Sequence, residues 1–445
     1  MYPLRNTLYC IIGLICTLSM TACSSDDHGN GKADMPKYRH TVIVYMSAQN
    51  SLGYSQAALL DSAEIASGAS RMRSTHDNLI LYLDDDKLPR IYRFYKGGDG
   101  KGYIQKVKQY STDLNSSNPS TLRDVLADVK AQYPSRSYGL VMWSHGTGWL
   151  PDIISPSGSQ SRLSRSYKPM GFGVDVGTGG NWAEDLDAQG HLGQQMEIDD
   201  MTQAISESGV RPAYIFFDAC LMQCVEVAYS LRNVTDYIVA SPATTSGYGA
   251  FYYDQIPNGL FCYPYGDDSI KTMVDTYYYN SVDDDRLKDY YGKQGCVMSA
   301  IKTSRLDQLA TATASALALA KTYTGVNQCD TTWYPEVSDV QPYCDFLHTS
   351  YPDMYDMACG MKALLPEADY WQWRTALDQC VVYSRMSDSY YLYSYNGEVY
   401  TQACDRANAC GVSMFFPRKI YSLYSYYGDL NELIKDTPWY RAVWS

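Results

Sequence analysis

Short apolar runs closed by turn residues alternate with helix-spaced segments from residue 39 onward. His40–Ser47 (HTVIVYMS) and Asn78–Leu83 (NLILYL) have the composition of buried strands, and Ser55–Ser70 between them has helical spacing. Asn118-Pro119-Ser120 opens a helix through Gln132, with Leu122, Val125, Leu126 and Val129 on one face. Gly139–Trp143 predicts the next strand, Met196–Ser208 a helix, and Ala213–Met222 (AYIFFDACLM) carries another strand. A helix is expected over Leu221–Arg232, with Leu221, Val225, Ala228 and Leu231 turned inward, then a strand over Asp236–Ser241. Alternation of this kind predicts βαβ units: an α/β fold with a mostly parallel central sheet flanked by helices. Beyond about residue 260 the pattern loosens into aromatic-rich helices, with strand-like pieces at Cys296–Ile301 and Gly411–Pro417. Between the strands at 139 and 213 lies a long excursion, Pro151–Gly193, rich in Gly, Ser and Asp. Loops of that length in a compact domain are usually functional or mobile.

The amino terminus follows different rules. Arg5, the apolar run Leu8–Leu18 and Met20-Thr21-Ala22-Cys23 resemble a bacterial lipoprotein signal, with cleavage before Cys23 and lipid on that cysteine. The apolar run is too short for a permanent membrane span. Ser24-Ser25-Asp26-Asp27 resembles the acidic surface-export tag of some Gram-negative lipoproteins. The expected organisation is therefore a signal peptide at 1–22, a flexible tether at 23–38, a core at 39–260, and a region at 261–445. The last completes the sheet and adds an aromatic-rich helical subdomain. The resulting location is the bacterial cell envelope, as an outer-membrane lipoprotein with the membrane as partner through its lipid.

Composition narrows the partners. A net charge of −13 and an isoelectric point near 4.9 argue against nucleic acid, because phosphate binding needs a basic face. Tyrosine is over-used, 43 of 445 residues, in runs such as Tyr277–Tyr279 and Tyr390–Tyr395. Half-buried packing and exposed contact with protein or glycan both remain open for these rings. Of the 13 cysteines, Cys10 and Cys16 fall in the signal, and Cys404 and Cys410 flank a polar turn where an oxidising compartment would let them pair. No C-x-x-C occurs and the six histidines are scattered, so no metal site is expected.

The chemistry lies at two strand ends. Tyr138–Trp149 (YGLVMWSHGTGW) delivers His145 and Gly146; the second key strand delivers Asp218, Ala219 and Cys220. Sites in open α/β sheets sit just beyond the carboxyl ends of strands, so a base and a nucleophile are expected side by side. A helix amino end directly after Cys220 would favour its thiolate. Gly146 lets backbone approach a substrate carbonyl, and the amides of Gly146 and Cys220 are candidate oxyanion donors. Asp218 would raise the thiol pKa, so it suits the floor of a pocket for a cationic side chain. Capping the following helix and orienting His145 are its other two readings. Ser144 has no G-x-S-x-G elbow around it.

The apolar block before His145-Gly146 and the block before Ala219-Cys220 resemble the signature of caspase-like peptidases. Within that group YGLVMWSHGTGW, DACLMQCVEVAYSL and HTVIVYMSAQNSLG resemble the clostripain family, with CVMSAI and GVSMFFP matching its later strands. The resemblance implies a caspase-like fold, His145 as base, Cys220 as nucleophile, and cleavage of protein or peptide substrates after Arg or Lys held by Asp218. It also implies self-cleavage in the 151–193 loop, at Lys168 first, then Arg165 or Arg162. It implies no required cofactor and leaves calcium open, since members differ. Where the family commonly carries an acidic run, this chain has the neutral Ser241–Gly247 (SPATTSG), leaving Asp218 as the visible acid. The reading is a lipid-anchored cysteine endopeptidase; the alternative is a surface glycan- or protein-binding lipoprotein with an inactive dyad on the same scaffold.

Overall fold

The computed structural model describes residues 36–150, 171–245, 259–283, 295–325, 333–335, 337, 340–344, 354–393, 399–423 and 429–444. The signal, Cys23, and the cleavage candidates Arg162, Arg165 and Lys168 lie outside the described residues.

Five parallel strands form the centre of a nine-stranded sheet. They are β1 (His40–Ser47), β2 (Asp77–Asp84), β5 (Tyr138–Trp143), β8 (Tyr214–Asp218) and β9 (Tyr237–Ala240), running spatially β9-β8-β5-β1-β2. Antiparallel pairs extend both edges: β3 (Arg90–Lys96) and β4 (Gly102–Gln109) beside β2, then β10 (Val297–Lys302) and β13 (Val381–Met386) beside β9. A two-stranded ribbon, β6 (Gly171–Asp175) with β7 (Gln194–Glu197), stands apart from the sheet. So does a small sheet of β11 (Pro342–Cys344), β12 (Met354–Asp356) and a two-residue strand, Ser413–Met414.

Strand alternation divides the core into two layers. Ile43, Tyr45, Ile80, Tyr82, Leu140, Met142, Ile215 and Phe217 face one side, against helices Pro119–Gln132, Ile198–Ser208, Val225–Leu231 and Leu306–Tyr323. Val42, Val44, Leu79, Leu81, Val141, Trp143 and Phe216 face the other, against Ala57–Gly68 and Asp267–Asp283. Both faces are covered, as parallel strands require. The predicted face of Pro119–Gln132 is the buried one, and Asn118 caps it by accepting from Ser120 N.

The helix expected at Leu221 begins later, at Val225, with Cys224 in the N-cap position. Leu221 takes a left-handed φ of 66°, and its N–H donates to Ala243 O at 3.1 Å while Gln223 N donates to Ser241 O at 3.0 Å. Pairing with the 241–243 segment thus takes up these two amides, and the helix starts beyond them. No helix amino end adjoins Cys220, so the dipole argument for its thiolate falls, and so does the reading of Asp218 as that helix's cap. Gly411–Pro417 contributes only the two-residue strand Ser413–Met414. Cys404 and Cys410 do not pair: all nine described cysteines are free thiols. The Cys410 sulfur instead lies 3.5 Å from Asp356 Oδ2.

The ends of β2 and β6 bring together two buried carboxylates. Asp84 accepts from Gln49 Nε2 at 2.9 Å and from the Ser116 hydroxyl; Asp175 accepts from Ser116 N at 2.5 Å. Burial, reinforced by the Asp175 charge, pushes Asp84 up to about 8, and burial pushes Asp175 up to about 6. A raised folded-state pKa gives stability that is complete below the ordinary value of 3.8 and lost as pH rises through the folded value. Raising the pH from 6 to 8 is therefore expected to cost up to about 2.7 kcal/mol through this group, at about 1.36 kcal/mol per unit. Thermal melts across pH 5–9 check it: Asp84→Asn should flatten the decline seen in wild type.

Candidate active site

Parallel pairing of β5 with β8 sets Trp143 opposite Asp218. One two-residue step beyond that pair reaches His145 on one chain segment and Cys220 on the other. The two segments touch directly: a Cβ on Gly146 would sit 2.6 Å from Cys220 O and 2.7 Å from Met222 Sδ. Glycine at 146 is thus demanded by the backbone of the Cys220 turn itself. Gly148, at φ 61°, repeats the requirement, since its Cβ would lie 2.5 Å from Leu221 O.

Gly146 forms an antiparallel bridge with Phe172. Gly173 N donates to His145 O at 2.8 Å and Thr147 N to Gly171 O at 3.1 Å, so the Gly146 amide itself points to the opposite edge. Cys220 is partly exposed. Its sulfur accepts from Thr245 N at 3.3 Å and lies 3.6 Å from Thr245 Oγ1. Burial pushes its thiol up; the two bonds from Thr245 oppose that, and the Asp218 charge adds to it. His145 is lowered by burial, with the Asp185 carboxylate acting in the opposite direction. Burial thus favours the uncharged form of both groups.

Asp218 is buried at the end of β8. Burial raises the hydroxyl of Tyr277, the Asp218 charge adds to it, and a bond to Thr245 opposes it. Tyr277 itself is a buried core ring, as are Tyr45, Tyr82, Tyr214 and Tyr390. Ser144 is structural: its hydroxyl donates to Ser47 O at 2.9 Å.

Local pattern did not reveal Ser51, Asp185, Thr245 or Tyr277. Ser51 Oγ lies 2.9 Å from His145 Nε2 and donates to Asp185 Oδ2 at 2.9 Å; Asp185 Oδ2 is 3.5 Å from the same Nε2. These partners come from segments 94 and 134 residues from Ser51. The one available signal was polarity in the run Gln49-Asn50-Ser51 after an apolar strand.

Among the described residues no group of three or more His, Cys, Asp or Glu side chains is arranged to hold a metal ion. Asp84, Asp113 and Asp175 do gather, but hydrogen-bond donors of Gln49 and Ser116 occupy their oxygens. That environment suits carboxyl groups better than a calcium ion, and no step below passes through one.

Comparison with known proteins agrees with this geometry. The chain is 26% identical over 241 residues to clostripain of Hathewaya histolytica, a match covering 48% of this chain and 41% of that one. The chain therefore spans about two-fifths of the length of that curated relative. It is similar to a secreted C11 cysteine protease of Bacteroides thetaiotaomicron solved with an irreversible peptide inhibitor. That likeness has a TM-score of 0.70 and 25% identity, over 91% of this chain and 99% of that one. An inactive zymogen C11 protease of Parabacteroides distasonis matches with TM-score 0.67 and 25% identity, over 92% and 100%. The fold is thus the caspase-like α/β fold of these proteases. The model of the Clostripain family matches residues 44–162 and 186–445. With strand order, the two strand-end blocks and that match all in accord, the chain belongs to the clostripain family of cysteine proteases.

Proposed function

We propose that this protein is a lipid-anchored cysteine endopeptidase that cuts after Arg or Lys through a Cys220–His145 dyad. The observation that carries the reading is the contact of the His145-Gly146 segment with the Cys220 turn at neighbouring strand ends. His145 takes the thiol proton as Sγ attacks the scissile carbonyl, and the oxyanion draws on the amides of Gly146 and Cys220. The imidazolium then protonates the departing amine, leaving a thioester. Water, deprotonated by the same imidazole, hydrolyses the thioester and regenerates the thiol. The peptide inhibitor bound by the Bacteroides relative supports peptide substrates.

Asp218 is the acid for a basic P1 side chain, the wall at Ser241–Thr245 being neutral. One buried charge-assisted bond contributes about 1.5–3 kcal/mol, roughly a 10- to 100-fold preference. Asp218→Asn is expected to lower kcat/KM on P1-Arg and P1-Lys peptides by that factor relative to a P1-neutral peptide. The same change should speed iodoacetamide alkylation of Cys220, because the Asp218 charge raises the thiol. Loss of turnover that is equal on all three peptides would refute the pocket role.

Anchoring rests on Cys23 and the preceding apolar run. No described helix is long and apolar enough to cross a membrane. The zymogen relative supports activation from an inactive precursor, and the cut proposed for this chain falls between residues 151 and 193, at Lys168 ahead of Arg165 and Arg162.

A further inference from the structure

Ser51 is held rigidly before it meets His145. Asn50 is buried, and its Nδ2 donates to Ser47 O at 3.0 Å, Ser144 Oγ at 3.2 Å and Val174 O at 2.9 Å. Its Oδ1 caps the short helix Ser51–Tyr54 by accepting from Leu52 N at 3.0 Å and Gly53 N at 3.3 Å. One side chain therefore ties the ends of β1, β5 and β6 and fixes where Ser51 begins.

Asp185 is equally constrained. It is buried, and it adopts a left-handed φ of 56° that non-glycine residues rarely take. Asn181 and Leu186 bridge around it, and Gly193 N donates to its carbonyl at 2.9 Å. Both carboxylate oxygens then face Ser51: Oδ1 accepts from Ser51 N at 2.6 Å and Oδ2 from Ser51 Oγ at 2.9 Å. A strained backbone whose side chain completes a chain of bonds to a candidate base points toward function. The residue also falls in the stretch 163–185 that the family match leaves out.

The direction of these bonds decides the imidazole tautomer. A carboxylate only accepts, so the single Ser51 hydroxyl proton goes to Asp185 Oδ2. Ser51 Oγ must then accept from His145, which puts the imidazole proton on Nε2 and leaves Nδ1 as the basic nitrogen.

We infer that Ser51 and Asp185 are positioning residues: they hold His145 in the Nε2–H tautomer and stabilise the imidazolium formed when Nδ1 takes the Cys220 proton. This rests on His145 being the base. Both act through His145. Asp185 lies 3.5 Å from Nε2, close enough to favour the charged ring, and Ser51 carries the intervening bond.

The test reads Cys220 directly and needs no peptide. The rate of iodoacetamide alkylation, located by mass spectrometry, is followed from pH 5.5 to 9.5 in wild type, Ser51→Ala, Asp185→Asn, Asp185→Glu and His145→Ala. Without the Asp185 charge the imidazolium–thiolate pair is less populated. Alkylation near pH 6–7 should therefore fall about 10- to 100-fold in Asp185→Asn. Ser51→Ala, which keeps the amide bond to Asp185, should fall several-fold. Both should rejoin wild type near pH 9.5, where the thiol ionises alone, and Asp185→Glu should recover part of the neutral-pH rate. A loss that is uniform across pH means a merely structural latch and overturns the inference. So do wild-type rates in both variants. If His145→Ala also reacts as wild type, the dyad reading itself fails; if His145→Ala is slow while the others are normal, only this inference does.

Discussion

Cys220→Ala is expected to lower peptide turnover at least about 1,000-fold while leaving the melting temperature nearly unchanged. The side chain is partly exposed and contributes one sulfur to the surface of its turn. Its removal leaves no large cavity and costs only the weak bond from the half-buried Thr245 amide, so stability has little to lose. Chemistry has much to lose under the proposed mechanism, because acyl transfer without that nucleophile falls back on binding and oxyanion stabilisation alone. His145→Ala should behave comparably, and the double variant should cost little more than either single one, as for groups acting as a unit. Wild type should reach its acid limb below the ordinary imidazole value of 6.5, since burial lowers His145. Mass spectrometry adds an independent reading: the Cys220→Ala protein should remain uncut between residues 151 and 193 where wild type is cut. Equal processing of both would assign that cut to another protease.

Asp356→Ala should lower stability by about 4 kcal/mol or more. Its carboxylate is buried. It accepts from Ala358 N at 2.9 Å and Cys359 N at 3.1 Å, capping the helix Met357–Leu364. It also accepts from Cys410 N and Gly411 N, each at 2.9 Å, and from the Tyr343 hydroxyl at 2.8 Å. Alanine would strand four amides and a hydroxyl, and each buried unsatisfied group costs about 1–3 kcal/mol before relaxation. The melting temperature should fall by on the order of 5–10 °C. Activity should fall too, because the segment fixed by Asp356 supports the Cys220 turn: Ser413 N donates to Gln223 O at 3.0 Å. Asp356→Asn, which keeps one acceptor oxygen, should lie between wild type and alanine. A melting temperature within 2 °C of wild type for Asp356→Ala would refute the assignment.

Legibility in the sequence followed burial. The central strands and the helix Pro119–Gln132 declared themselves because each is apolar on the face it buries, and that periodicity survives without a partner. The hairpin β3–β4 was not expected. Its strands, RIYRFYK and GYIQKVKQ, lie at the sheet edge, β4 almost wholly exposed, so solvent-facing charges break up the apolar signal. The helix expected at Leu221 failed for the opposite reason. Leu221, Val225, Ala228 and Leu231 fit helical spacing, yet Leu221 is buried through a left-handed turn that bonds to 243. Spacing reports which side chains are apolar, not which backbone conformation buries them.

The sequence by itself determined the α/β alternation and the two strand ends that carry His145 and Cys220. Such features are local: an apolar run sets a strand, and a strand end sets where its last side chains lie. Only the tertiary structure decided which groups surround that pair, and that Gly146 packs against the Cys220 turn. Ser51 meets Asp185 across 134 residues of chain, and Thr245 meets Cys220 across 25. Hydrogen-bond partners of this kind are chosen by how the chain closes on itself, and burial with those partners shifts each group from the ordinary value of its residue type.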